Sequence, residues 1–405
     1  MSHLFNDLVG FKGNAVDAFN RLKTSNAFTL FDSSHRYREN PYWDTVSITG
    51  GSYAHSANES VIDMTVDTQA NAKVVRETKR VFPYQPGKSL LVLNTFVFNE
   101  AKENLRQRVG YFGTQNGIYL EQSGSDVYLV LRSYVGGSVD ETRRIAQADW
   151  NGDNFLGNGP SGVTLDLTKG NIMWMDVEWL GVGDVRVGFI SEGRPVVAHT
   201  FYNANLNSTT YMTTATLPLR YEIENLGITD SPSTMKQICS SVVSEGGYEG
   251  FTRKYNITKN GTTATDLATA GTQYPMVALR LNSNRLDSVV VPSSLSVALD
   301  QLDDNKPAII QWKFLLNPSL SGGSWVTHPN GNVDYNNTAT SLSGGTELFG
   351  GYVSSNSTFD VSGINDFNFQ LGRTQNGVSD VLVLAFVPTV SGTDAYGDLS
   401  WYEIT

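Results

Sequence analysis

The sequence predicts an all-β protein made of two antiparallel β-sandwich domains that follow a short, partly helical N-terminal arm. Composition is the first indication: 38 Gly, 18 Tyr, 19 Phe and 7 Trp stand beside only 17% charged residues, which favours aromatic-rich strands joined by small-residue turns. The second is an alternation of apolar and polar residues over many short segments, the pattern of a half-buried strand. The third is turn chemistry, as at Asn116-Gly117 between two apolar runs, because Asn-Gly is a strong hairpin signal.

Residues 1–30 form the predicted arm, and their pattern differs from that of the rest of the chain. Apolar residues recur there at roughly the spacing of one helix face, interrupted by glycines. A disordered terminus is the alternative interpretation. We expect the arm to anchor the protein to a neighbouring molecule through five apolar residues: Leu4, Phe5, Leu8, Phe19 and Leu22.

Residues 31–230 are predicted to form the first sandwich, because about ten short strands follow one another there without an intervening helix. The clearest pair lies in 174–189, where apolar residues alternate on both sides of Gly181-Val182-Gly183. Alternation around a short glycine-containing turn is typical of an antiparallel hairpin.

Residues 231–405 are predicted to form the second sandwich, and the polar segment that ends in Asp230-Ser231-Pro232 marks the boundary. The strand-like segment 235–248 could pair with either sandwich. The segment 317–345 is rich in Gly, Ser and Asn and longer than most internal loops, so we expect it to be exposed and available for binding.

Charge and motif content exclude several classes of function. A net charge of −11 argues against nucleic-acid binding through phosphates, which needs clustered Lys and Arg. The chain shows neither a signal-peptide pattern nor an apolar run near the ~18 residues of a membrane span, so we expect synthesis in a cytoplasm and no membrane insertion. The histidines lack metal-ligand spacing and no cofactor is predicted. Cys239, in a strand-like run, is expected to be a small buried residue.

Asp176 and Glu178 are the candidate catalytic pair. Residues i and i+2 of a strand point to the same face, so these carboxylates could share a cleft. Jelly-roll glucanases carry Glu-x-Asp-x-Glu on such a strand, but Trp174 stands here in place of the first glutamate. Since a retaining mechanism needs a carboxylate nucleophile, the sequence predicts structural carboxylates and a protein that is not an enzyme. An inverting mechanism, which needs two carboxyl groups ~6.5–9.5 Å apart, is the alternative.

A loop rich in Asp and Asn precedes this hairpin. Asp149, Asn151 and Asp153 space oxygen ligands as a calcium loop does, and Asx-turns that tie the loop to itself are the alternative. Trp150, in this loop, and Trp325, in the segment 317–345, are the candidate residues for stacking on a glycan.

Several segments resemble proteins of known type. The hairpin resembles the late strands of a laminin-G or concanavalin-A-like sandwich, which implies jelly-roll, lectin-like domains. The segment 18–33, the hairpin and the segment 217–225 together resemble a group of tailed-bacteriophage virion proteins. That likeness covers the arm and nearly all of the first block, and it weakens after Tyr248. It implies a structural component of the virion, of the outer tail-fibre, spike or capsid-decoration type.

The same resemblance implies a set of partners. By analogy with phage fibres and spikes we expect a homotrimer, contacts with other virion proteins through the arm, and contact with host-surface polysaccharide. The alternative function is a carbohydrate-binding or carbohydrate-active protein of the glycan-depolymerase kind, because lectin-like sandwiches bind glycans by aromatic stacking and polar loop groups.

Overall fold

The computed structural model describes residues 26–248, 253–300, 307–355, 359–362 and 369–404. These residues form antiparallel sheets stacked in pairs, which confirms the predicted all-β sandwich class. The five anchoring residues of the predicted arm lie outside the described residues. In the described part of the chain, no helix has the length and apolar character to cross a membrane.

The first pair of sheets is built from residues 27–245, with a short 3-10 turn at Gln147–Asp149. Sheet A contains β1 (Ala27–Ser33), β3 (Gly51–Ser56), β4 (Val61–Val66), β6 (Ser89–Val97), β11 (Asn171–Val177), β12 (Val185–Ser191), β13 (Arg194–Phe201) and β15 (Ser233–Glu245). Sheet B contains β2 (Trp43–Ile48), β5 (Lys73–Thr78), β7 (Leu105–Phe112), β8 (Gly117–Ser123), β9 (Asp126–Ser133), β10 (Asp140–Ala146) and β14 (Leu219–Asn225).

Neighbouring strands in each sheet are joined by backbone hydrogen bonds. Sheet A runs β13-β12-β11-β6-β15-β4-β3, with β1 beside β15, and sheet B runs β10-β9-β8-β7-β14-β5-β2. One hydrophobic core fills the space between the two sheets; its members include Met175 and Val187 of sheet A and Tyr221 of sheet B. The residues between these core positions point to the outer faces, because side chains alternate along a strand.

The predicted hairpin is confirmed. β11 pairs with β12 in the register Trp174 to Gly188 and Asp176 to Arg186. The turn needs its glycines: Gly181 has a φ of +79°, and a Cβ on Gly183 would lie 2.2 Å from the Glu178 carbonyl oxygen.

The second pair of sheets is built from residues 253–404. Sheet C contains β16 (Arg253–Thr258), β17 (Thr265–Leu267), β19 (Val289–Leu299), β26 (Phe359–Ser362) and β28 (Thr393–Ile404). Sheet D contains β18 (Tyr274–Leu281), β20 (Ile309–Leu316), β22 (Val326–Thr327), β23 (Val333–Asn336), β25 (Thr346–Ser354) and β27 (Val381–Pro388). The small two-stranded sheet of β21 (Ser319–Ser321) and β24 (Ser341–Ser343) belongs to the predicted exposed segment. A separate core that includes Met276, Leu384 and Trp401 lies between sheets C and D.

The predicted domain boundary separates β15 from the sheet to which this strand belongs. The predicted division at 230/231 assigns this strand to the second sandwich, yet it pairs with β1, β4 and β6 of sheet A. A shift of register between Gln237 and Ser240 interrupts its pairing with β6. Cys239 lies in that irregularity and is exposed, so the expectation that it is buried is wrong.

The two blocks contact each other at the C-terminal end of β5 and in the residues that follow it. Val81 packs against Val289, Val291 and Ile404 of the second block. Beside this apolar contact, Arg373 pairs with Glu77 across the junction at 2.6 Å. The second block therefore covers the side of the first block that carries β5.

Candidate functional site

A cleft of about 310 Å³ opens on the outer face of sheet A, where β11 and β13 end and β12 begins. Met175 and Val177 point into the core, so Asp176 between them points outward. The same alternation turns Arg186 outward between Val185 and Val187. The pairing of adjacent strands then places Asp176, Arg186 and Thr200 side by side along the floor of the cleft.

Carboxylates dominate the cleft. Asp176, Glu178, Asp184 and Glu245 line it together with one cation, Arg186, which leaves a formal excess of three negative charges. The Arg186 guanidinium donates to Oδ2 of Asp176, and its own side chain is 57% exposed. Oδ1 of Asp176 is buried and has no hydrogen-bond partner among the described residues. One buried carboxylate oxygen of the cleft therefore has no partner within the described protein.

An aromatic ring and two hydroxyls complete the cleft. Tyr202 is 57% exposed and stands beside Thr200 in the lining. Opposite them, the Ser89 hydroxyl donates to Oε2 of Glu245 over 3.1 Å. Carboxylates and hydroxyls can hydrogen-bond to sugar hydroxyls, while an exposed ring can stack on the apolar face of a sugar.

Sequence reasoning identified Asp176 and Glu178 as neighbours but missed the rest of this cleft. Tyr202 follows the buried Phe201, and its outward direction could have been read from that alternation. Asp184 faces Glu178 across the turn of the predicted hairpin, so the hairpin pattern could have grouped the two. Glu245 lies far along the chain, and only the sheet pairing brings it to Asp176.

The Asp/Asn loop lies against β13 and is held by its own hydrogen bonds. Asp153 accepts from the backbone N–H groups of Phe155 and Ser161, at 2.8 and 2.6 Å. Asn151 makes two hydrogen bonds with the backbone of Thr200, at 2.9 and 2.8 Å, while Asp149 is exposed. These are the contacts of the Asx-turn alternative. Within the described ranges, no group of three His, Cys, Asp or Glu side chains is placed to hold a metal ion, and calcium stays a prediction.

His199 connects the loop to the strand. Its Nδ1 accepts the backbone N–H of Asn151 at 3.2 Å. Burial, with a smaller effect from Arg143, lowers the pKa of His199 to about 4. The imidazole is therefore neutral near pH 7 and serves as a structural acceptor beside the cleft.

The two predicted stacking tryptophans have different positions. Trp150 is only 5% exposed, its ring stacks on Phe189 at 6.2 Å, and Nε1 donates to the Ile145 carbonyl. Trp150 is thus a core residue without a free face, so its predicted role in stacking is wrong. Trp325 is half-buried in the second block, with the Arg280 guanidinium 4.3 Å from its ring centroid. Its role in binding stays a prediction.

Comparison with known proteins finds likeness in structure alone. No protein-family model matches the chain. No curated protein matches it in sequence.

Several solved structures are similar to just over half of the chain. A glucuronan lyase from the fungus Trichoderma reesei is 11% identical with a TM-score of 0.36, covering 55% of this chain and 97% of that chain. A β-1,3-1,4-glucanase (lichenase) from a mouse hindgut metagenome is 12% identical with a TM-score of 0.35, covering 53% and 98%. The CBM2 module of the evolved Dit of Lactobacillus casei BL23 phage J-1 is 8% identical with a TM-score of 0.35, covering 56% and 100%.

These matches correct one prediction. Two of the three proteins are carbohydrate-cleaving enzymes, which contradicts the prediction from Trp174 that the chain is not an enzyme. These three structures are β-sandwiches, two of them from glycan-cleaving enzymes and one from a phage.

Proposed function

We propose that the protein is a structural component of a tailed-phage virion, of the outer-fibre, spike or decoration type, and that it binds host-surface polysaccharide in the cleft on sheet A. The observation that carries the binding role is the combination of an unpaired, buried Oδ1 on Asp176 with an exposed Tyr202 in one cleft. The sequence resemblance of the arm and first block to phage virion proteins supports the setting.

The charge of the cleft selects the class of polysaccharide. Four carboxylates facing one guanidinium repel an anionic chain, and like charges brought together cost binding free energy. Neutral hydroxyls and amino groups, in contrast, can donate to those carboxylates. The ligand is a neutral or amino-bearing glycan.

The proposed assembly rests on the same resemblance to phage virion proteins. The protein is a homotrimer anchored to other virion proteins by residues 1–30, with two domains of which the first includes β15. Light scattering that shows only monomer at micromolar concentration would contradict the trimer. A chain that starts at Asn26 retains β1, so it should fold but no longer join the particle.

Calorimetric titration with a panel of neutral, amino-bearing and anionic polysaccharides tests the binding role. Tyr202→Ala should weaken binding of the neutral or amino-bearing ligand by about tenfold, since it removes a stacking surface and its hydroxyl. Tyr352→Ala is the matched control, because Tyr352 is 66% exposed in the second block. Equal affinities for the two variants, or preferred binding of the anionic polysaccharides, would contradict the proposal.

A carbohydrate-active protein is the second candidate, and the carboxylates of the cleft favour it. Asp176 and Glu178 both line the cleft, and glycosidases use two carboxylates that flank the scissile bond. Asp184 and Glu245 add further carboxylates that the sequence pattern did not group with them. The test is an assay for new reducing or unsaturated ends with the wild type, Asp176→Asn and Glu178→Gln. Product formation lost in these variants would establish catalysis, and no product from any bound glycan would leave binding alone.

A further inference from the structure

A larger cavity of about 940 Å³ lies between the β9–β10 hairpin and the segment 206–211. This volume is near the upper end of the ~300–1,000 Å³ typical of ligand sites, so it can hold several sugar rings. The cavity contains none of the residues that line the cleft on sheet A.

The lining combines hydroxyls with exposed apolar groups. Ser138, Thr142, Ser208 and Thr210 contribute hydroxyls, and Leu206 is 71% exposed. Hydroxyls beside apolar patches suit a sugar, whose ring carries hydroxyls at its edge and C–H groups on its faces.

Tyr211 supplies a second, independent indication of a ligand. Tyr211 is one of the lining residues and packs into the core with 4% exposure, yet its hydroxyl has no hydrogen-bond partner among the described residues. A buried polar group without a partner costs roughly 1–3 kcal/mol, and a ligand hydroxyl at this position would remove that cost.

A single segment of chain forms a wall of both the cavity and the cleft. Thr200 and Tyr202 line the cleft, and the residues from Leu206 to Tyr211 line the cavity. Arg143 of the cavity donates to the Tyr202 carbonyl at 3.2 Å and to Oδ1 of Asn203. The backbone N–H of Asn203 in turn donates to Oδ1 of Asp184 in the cleft, at 2.9 Å. Hydrogen bonds therefore connect the two sites directly.

We propose that this cavity is a second subsite for the same polysaccharide, so that the protein binds an extended stretch of glycan that runs from the cleft past Tyr202 into the cavity. The inference rests on the proposed function of the cleft. It predicts that affinity increases with oligosaccharide length until the chain is long enough to occupy both sites.

Titration calorimetry of the full chain with neutral and amino-sugar ladders tests this, using gluco-, galacto-, manno- and chito-oligosaccharides from disaccharide to octasaccharide. Leu206→Asp places a charge on the cavity wall. It should weaken binding of the octasaccharide by about tenfold while leaving the affinity for the disaccharide unchanged. Ile228→Asp is the matched control, because Ile228 is 75% exposed and lines neither site.

The outcomes separate the two proposals. Binding that is lost in Tyr202→Ala but is independent of chain length and of Leu206→Asp would overturn the second subsite and leave the cleft in place. No binding of any ladder would overturn the proposed function, and the second subsite with it. Length-dependent affinity that Leu206→Asp removes and Ile228→Asp preserves is the expected result.

Discussion

The two sheets of the first block both carry charged side chains on their outer faces, but they use them differently. On sheet B, Glu222 is 1% exposed and contacts Lys73, Arg108 and Arg220. On sheet A, four carboxylates share one largely exposed arginine. The carboxylate on sheet B is neutralised by several cations, while the cleft on sheet A carries an excess of negative charge and one buried oxygen of Asp176 without a partner.

Aromatic rings complete the network on sheet B. The Arg144 guanidinium lies 3.4 Å from the ring centroid of Tyr128, and that of Arg132 lies 5.1 Å from the ring of Tyr119. Rings cover the cations and exclude water, which strengthens each ion pair. The cleft on sheet A has only Tyr202 as an exposed ring. The difference indicates that the charges of sheet B stabilise the fold, whereas those of sheet A are available to a ligand.

The largest expected effect comes from breaking the network. Glu222→Gln should lower the free energy of unfolding by up to about 3–5 kcal/mol, because buried Arg108 loses the nearer of its two carboxylate partners and keeps only Glu224, at 3.3 Å. Glu178→Gln, the same chemical change at an exposed position of the cleft, should stay within about 0.5 kcal/mol of the wild type. Urea unfolding of both variants checks this. Equal losses of stability would contradict the claim that the charges of sheet B stabilise the fold and those of the cleft do not.

The pH dependence of stability should report the same network. Burial alone would raise the pKa of Glu222, but Arg108, Arg220 and Lys73 lower it well below its usual range. A carboxylate with a lowered folded-state pKa stabilises the protein fully above its unfolded pKa of about 4.3, and that contribution falls as pH drops from there towards the folded pKa. The midpoint temperature of Glu222→Gln should therefore approach that of the wild type in acid, below about pH 4. A constant difference between the two proteins from pH 7 to pH 2 would argue against this assignment.

Trp174 also lies on the outer face of sheet A, but unlike the cleft residues it is buried by packing. It is 8% exposed, and a Cβ on Gly188 would approach its indole to 2.8 Å and the Val196 carbonyl oxygen to 2.0 Å. Gly188→Ala should cost about 1–3 kcal/mol of unfolding free energy through overpacking. Gly170→Ala, where nothing lies within 4 Å of the added Cβ, is the control in thermal unfolding. Similar midpoints for the two variants would contradict the tight packing of Trp174.

The smallest effect is expected at the ion pair inside the cleft. Arg186 is 57% exposed on its side chain, and exposed pairs contribute only about 0–1 kcal/mol. Arg186→Gln should therefore change stability by less than about 1 kcal/mol, as measured by urea unfolding. A loss comparable to that of Glu222→Gln would mean that the cleft also holds the fold together.

Sequence reasoning predicted the local features of this fold and missed those set by distant contacts. Alternation around Gly181-Val182-Gly183 is a local signal, and the hairpin that carries Asp176 formed as predicted. Cys239 was misplaced because an irregularity in strand pairing reverses the direction that simple alternation gives. Trp150 was assigned to ligand stacking because its neighbours are polar, yet Phe189, on β12, buries it in the core. The cleft also needs Glu245, at the end of β15, and Tyr202, just after β13, and no local pattern brings these residues to Asp176.

Glycan titration of matched cleft variants tests the central claim most directly. The wild type, Tyr202→Ala and Glu178→Gln are compared for affinity towards the best-binding neutral or amino-bearing oligosaccharide, with thermal unfolding recorded on the same samples. The two variants should lose about tenfold in affinity while their midpoint temperatures remain those of the wild type. Unchanged affinity in both folded variants would contradict the claim that the carboxylate-rich cleft on sheet A is a ligand site.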